Sequence, residues 1–398
     1  MRRLLITTAC RKAKFDEPSG HLYVVDLDNW KVTQRGSIIE PPYREIDPNP
    51  RGGFRGGKGI AIFENQIIMA NSVCAFRFNK NWELLRIISH PSCSGIHDIL
   101  IDSDHNLYVT SARNDLLFKF DLDGNLIEYY YFRQNPANHA INQWVRPEIL
   151  SIEEIAGGQI DFRDPRTHKI TSHDSVHINS ISQLPDGSLL TSLGLVVGSE
   201  FSLFMEIKDQ LSKYGLWPWI IRANQYIRNF FSFEKEQHSD LIIQPAKGKS
   251  IVVRIFHNGD IVPCLVLEQA TVPGHSILAR SDGTAIYLNT SFGNIIHFKP
   301  ENGRIISKTK VSTQFLRGIV HLSDDEIIVG SQNNLLWFSL QTREIRKQIT
   351  LSDNLNEAVF SIHEFPETFS LPPISFESQL GKLVGFNEKE AIFKLGNQ

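Results

Sequence analysis

At 398 residues, with 41% hydrophobic and 21% charged residues, the chain can bury a large core and is neither disordered nor fibrous. Its formal net charge of −3, without a basic block or an acidic tail, argues against nucleic acid as a partner. The four cysteines (Cys10, Cys74, Cys93 and Cys264) lack the spacing of a disulfide framework or a zinc cage, so thiols in a reducing cytoplasm are expected.

The first stretch, "MRRLLITTAC", has too short an apolar run for a signal peptide and reads as a β-strand. No later run approaches the roughly 18 apolar residues of a transmembrane span. "LLITTAC" and "HLYVVDL" look like the second and third strands of a unit whose first strand is missing. The stretch at 49–60, "NPRGGFRGGKGI", lacks the GK[ST] of a nucleotide-binding loop and leads a glycine-rich rim into Lys58.

From there a frame repeats. Ile60, Ile99, Ile181, Ile277 and Ile319 are each followed five residues later by a turn residue (Asn65, Asp104, Asp186, Asp282 and Asp324), and then by further apolar strands. A weaker copy, Ile362 with Glu367, ends after its first strand. Spacings of 39, 42 and 43 residues separate 60 from 99, 277 from 319 and 319 from 362, the period of a four-stranded propeller blade. The intervals from 99 to 181 and from 181 to 277 each hold one blade and an insertion, around 134–175 and 198–240.

The predicted fold is therefore an all-β, six-bladed β-propeller forming one domain over 1–398, its ring sealed by pairing the two chain ends. A seventh blade is the alternative if the first insertion is a degenerate blade. Within the second insertion, Leu203, Ile207, Leu211 and Tyr214, and then Trp219, Ala223, Tyr226, Ile227, Phe230 and Phe231, fall at helical spacing, with Gly215 and Pro218 between them. A helical lid over 198–240 is expected, with a membrane-surface or oligomer contact through 201–236 as the alternative.

The first strand of each blade lines the central channel, so equivalent positions form a ring. Two residues before each anchor stand Lys58, His97, Asn179, His275, Arg317 and Phe360. By the two-residue period of a strand, His177 shares a face with Asn179, so three histidines on consecutive blades converge beside Arg317 and Lys58. A water-filled channel also accepts polar side chains, but such a cluster of titratable groups marks a candidate site.

The motifs "GIHDI", "HINSI", "PGHSIL", "LNTSFGNI" and "FLRGI" resemble, in that order, those of an uncharacterised family of bacterial propeller-type proteins, over roughly residues 50 to 340. The resemblance implies the propeller frame and groups His97, Asp98, His177, Asn179, His275, Ser276, Asn289 and Arg317 as a set. It implies no reaction.

The residues leave three readings open. In the first, His97, His177 and His275 hold a divalent ion (Zn, Fe or Mn) that assists a lyase or hydrolase, as histidines from several blades do in propeller lyases. In the second, a histidine is a metal-free acid, base or nucleophile in a transferase-like reaction, while Arg317, Lys58, Asn179 and Asn289 bind substrate. Asp98 and Ser276 support the ring from behind in either case. In the third, the same groups bind an anionic ligand without turning it over. All three imply a small, anionic or peptide-like partner.

Overall fold

The computed structural model describes residues 2–14, 16–42, 56–133, 176–196 and 248–376, together with 141, 154, 157, 160–164, 214, 216 and 219. Short apolar runs broken by turns give strands throughout. The chain opens with β1 (Arg3–Cys10), β2 (His21–Asp26) and β3 (Lys31–Ser37). Blade 1 holds β4 (Ile60–Phe63), β5 (Gln66–Ala70), β6 (Ala75–Asn79) and β7 (Leu84–Ile88). Blade 2 holds β8 (Ile96–Ile101), β9 (Leu107–Ser111), β10 (Leu116–Phe120) and β11 (Leu126–Tyr131). Blade 3 holds β12 (Ile178–Gln183), β13 (Leu189–Val196), β14 (Gly248–Ile255) and β15 (Ile261–Ala270). Blade 4 holds β16 (His275–Ala279), β17 (Ala285–Asn289), β18 (Asn294–Phe298) and β19 (Ile305–Lys310). Blade 5 holds β20 (Leu316–His321), β21 (Glu326–Ser331), β22 (Asn334–Ser339) and β23 (Ile345–Thr350), and β24 (Glu357–Phe365) follows.

Each blade is a four-stranded antiparallel meander, and blade 6 is assembled from both ends of the chain in the order β24, β1, β2, β3. Its seam runs from Arg3 opposite Phe365 to Cys10 opposite Glu357. The sequence frame anticipates this closure. The innermost strands β4, β8, β12, β16, β20 and β24 pack against one another in a closed cycle. Because β8 lies directly against β12, no seventh blade fits between them.

The burial pattern follows position in the blade. The second strands, such as "LYVTS" of β9 and "AIYLN" of β17, are buried along their whole length, whereas the outermost β19 and β23 expose lysine, arginine and glutamine. Such charged outer strands discourage edge-to-edge pairing with other chains. Six apolar clusters hold the wedges together, one at each blade interface; Ile68, Ile96, Ile99, Val109 and Phe118, for example, join blades 1 and 2.

The turns after the first strands are tied by short acceptor side chains. Asp186 and Asp282 accept from the backbone and hydroxyl of Ser188 and Thr284, as their place in the frame suggests. In blade 2 that work falls to Asp102, two residues ahead of the expected Asp104.

The expected helical insertion at 198–240, with its reading as a lid or contact surface, lies outside the described residues except for 214, 216 and 219. Most of the insertion at 134–175 and the glycine-rich stretch at 49–55 also lie outside them. Among the described residues, no helix is long and apolar enough to cross a membrane.

Candidate active site in the funnel

An irregularity recurs where the inner strands meet the funnel. The ladders between first and second strands shift register between Ile96 and Ile99, Ile178 and Ser180, His275 and Ile277, and Leu316 and Ile319. The β1 to β24 ladder shifts at the corresponding place, skipping Phe360. Bulges of this kind leave a residue unpaired and turn its side chain out of the sheet's alternation. Left-handed backbone accompanies them at His177 (φ 50°), Ser276 (φ 58°) and Gly318 (φ 78°). Non-glycine residues rarely adopt that conformation, and it clusters at functional sites.

The result is a meeting of three imidazoles. The ring centres of His97 and His177 are 4.8 Å apart, those of His177 and His275 6.3 Å, and those of His97 and His275 6.4 Å. One ring nitrogen from each lies within 4.8 Å of the other two. Arg317 is buried and donates from Nη2 to Nδ1 of His97 at 2.9 Å. Its guanidinium carbon lies 3.1 Å from the centre of the Phe360 ring, and Lys58 Nζ is 4.2 Å from the same centre. Phe360, the one apolar member of the ring positions, thus carries two cations on its π-face.

Hydrogen bonding fixes two tautomers. Thr290 gives its hydroxyl proton to the Leu316 carbonyl at 2.9 Å, so it accepts from Nδ1–H of His275 at 3.0 Å and leaves Nε2 of that ring as a lone pair. Arg317 can only donate, so His97 carries its proton on Nε2. Burial, and then the charge of Arg317, hold both His97 and His275 well below the ordinary histidine range, so both rings are neutral at pH 7.

The other expected residues have different tasks. Asp98 Oδ1 accepts from the Ile99 backbone at 3.0 Å and Oδ2 from the Ile181 backbone at 3.2 Å, tying blade 2 to blade 3. Burial pushes its carboxyl up to about 7. Ser276 Oγ accepts from Gly318 N at 2.8 Å, tying blade 4 to blade 5. Asn179 donates to the Gly274 carbonyl at 2.7 Å, while its Oδ1 is buried without a hydrogen-bond partner. Asn289 is buried at the end of β17, where the chain turns into β18, and its neighbour Thr290 is the residue that reaches His275.

Sequence reasoning did not find Thr290, Phe315 or Arg11. Phe315 packs on His275 with ring centres 4.6 Å apart, and Arg11 lies 4.1 Å over Phe315. Phe315 directly precedes "LRG", so its distance from Arg317 was visible. Arg11 follows the last residue of β1, and only ring closure brings it to blade 5.

No family model and no curated protein matches the sequence. Solved structures do. A protein of unknown function from Bacteroides caccae superimposes with a TM-score of 0.50 at 10% identity, covering 92% of this chain and 99% of that one. A chain of the nidogen/laminin complex gives 0.50 at 7% identity, covering 90% and 97%. A virginiamycin B lyase from Staphylococcus aureus gives 0.44 at 9% identity, covering 84% and 78%. The fold is a six-bladed β-propeller. The likeness to the first of these structures is in keeping with the propeller frame that the motifs imply. At such identities the likeness reports architecture alone.

Proposed function

We propose that the protein is an enzyme that turns over a small anionic or peptide-like substrate in its funnel, with His97, His177 and His275 holding a divalent ion such as Zn, Fe or Mn. One observation carries this reading: ring nitrogens from three consecutive blades lie within 4.8 Å of one another. When bound, the ion would acidify a water or polarise a carbonyl, the chemistry of a hydrolase or a lyase. The chain's own groups orient the site. Thr290 holds the Nδ1–H of His275 so that Nε2 faces a ligand as a lone pair.

His97 fits only after a change. Whichever of its nitrogens serves as ligand, the ring must give up its present tautomer or its bond from Arg317, because one nitrogen is protonated and the other is occupied. Released from the ring, the Arg317 fork can grip a substrate carboxylate in two-point fashion, with Lys58, close to the same Phe360 ring, adding charge. Phe360 supplies an apolar floor to both cations.

The bond from Arg317 to His97 favours a second reading. Without an ion, the neutral His97 offers Nε2–H as a hydrogen-bond donor to a developing oxyanion and His275 offers Nε2 as a base, an arrangement suited to metal-free transfer or elimination. Elemental analysis of the purified full-length protein separates the two. The first reading expects an equivalent of zinc, iron or manganese that is lost in His275→Ala, with turnover of acidic substrates lost alongside it. Turnover that survives complete chelation, and still needs His275, overturns the metal reading and supports the second. Ligand binding without turnover of any acidic substrate would reduce the site to a binding module.

A further inference from the structure

A second constellation lies at the seam of blade 6, sharing no residue with the histidine cluster. Cys10 ends β1, Glu357 begins β24 directly opposite it, and His21 begins β2 on the other side of β1. Three neighbouring strands therefore present a thiol, a carboxylate and an imidazole at one end of one sheet. One ligand atom from each lies within 4.8 Å of the other two. Cys10 is 4% exposed and Glu357 fully buried.

The carboxylate is unevenly satisfied. Its Oε1 receives His21 Nδ1 at 2.9 Å, the Tyr23 hydroxyl at 3.0 Å and the Thr8 hydroxyl. Its Oε2 is buried and makes no well-formed hydrogen bond, although the nearby Ser352 hydroxyl helps hold the carboxyl low, and the Arg35 guanidinium stands 4.0 Å away. A buried carboxylate oxygen left in that state calls for an explanation. A thiol-based catalytic triad does not supply one. Both ring nitrogens of His21 are engaged, Nδ1 by Glu357 and Nε2 by Arg35 at 2.9 Å, so neither serves the thiol as a base.

We propose that Cys10, His21 and Glu357 form a metal site for a borderline divalent ion such as Zn²⁺, which pins the closing seam of the propeller. Sulfur, imidazole nitrogen and carboxylate oxygen are the donor set that such an ion takes in tetrahedral sites. The three donors come from β1, β2 and β24, so the ion joins the two chain ends across the seam. Binding releases the Cys10 thiol proton to solvent. It also drives Arg35 from the imidazole: either the ion takes Nε2, or it takes Nδ1 and leaves Nε2 protonated and unable to accept. The Arg35 side chain is 52% exposed, so it can swing into water.

The test is cobalt(II) titration of the metal-stripped full-length protein. A thiolate ligand gives an intense charge-transfer band that an all-histidine site cannot give, so the seam and the funnel are read separately. Wild-type protein is expected to develop the band, zinc to abolish it by displacement, and Cys10→Ser to lack it while remaining folded by near-ultraviolet circular dichroism. Arg35→Gln should bring the band on at severalfold lower cobalt concentration. The proposal is overturned if folded wild-type protein binds cobalt without the band, or if the band persists in both Cys10→Ser and Cys10→Ala. A band in wild-type protein whose funnel binds no metal would support the seam site and count only against the funnel reading.

Discussion

Each ring side chain has a separate consequence when changed. His275→Ala removes the Nε2 that holds the ion in the first reading and is the base in the second, so in either case activity should fall by at least about a hundredfold, the scale of one acid or base group, and in the first reading the funnel metal should be lost with it. Thr290→Val keeps the shape but removes the acceptor for Nδ1–H, and metal affinity should weaken about 10- to 100-fold in a chelator competition assay. Arg317→Lys keeps the charge but loses the planar fork and its stacking on Phe360; KM for an anionic substrate should rise more than kcat falls. Lys58, His97, His275 and Arg317 were legible because the frame fixes their place in each blade. Thr290 was not, because its role depends on the neighbouring strand and on the Leu316 carbonyl of the next blade. Phe360 was legible in position only, since nothing in an apolar residue announces that two cations will rest on it.

Among the elements, the bulge decides where these side chains point. Strict alternation places His177 and Asn179 on one face, but the shift between Ile178 and Ser180 and the left-handed backbone at His177 intervene. His177 joins the cluster, while the amide of Asn179 is spent on the Gly274 carbonyl. Apolar alternation predicts strands and their buried faces because it reports burial directly; a bulge is one inserted residue and leaves the pattern on either side intact. Gly318 shows what the bulge demands. Its φ is 78°, and a Cβ there would lie 3.0 Å from Ile362 and 3.1 Å from Val359 in blade 6. Gly318→Ala should therefore destabilise the fold by about 1–3 kcal/mol and disturb the adjacent Arg317, seen as a lower urea midpoint together with a raised KM.

At the scale of the whole molecule, the ring is held by its blade interfaces and by one seam, and acid loosens it. His363 on β24 is half-buried beside blade 1, and the loss of solvent around its ring lowers it to about 4 from the ordinary 6.5, even though a backbone hydrogen bond at Ile60 pulls the other way. Between pH 6.5 and pH 4 the unfolded chain binds a proton at this position and the folded chain does not. Stability therefore rises with pH across that window, and acidification costs up to about 3 kcal/mol at this residue. His97 and His275, also lowered by burial, add in the same direction. The urea midpoint should fall between pH 7 and pH 5, and fall less in His363→Asn; an unchanged midpoint would contradict this account. The blade count and the seam were legible because a period near 40 residues and two incomplete end units leave few ways to close a ring. The chemistry between blades was less so, because residues as distant in sequence as Arg11 and Phe315 meet only once the ring is closed.

The central claim is that the three funnel histidines bind one ion. Anomalous diffraction from crystals of the full-length protein grown with zinc tests it most directly. The account predicts a peak about 2.0–2.1 Å from one nitrogen each of His97, His177 and His275, with Arg317 withdrawn from the His97 ring. A funnel without a peak at saturating zinc, with Arg317 still donating to His97 Nδ1, would contradict it.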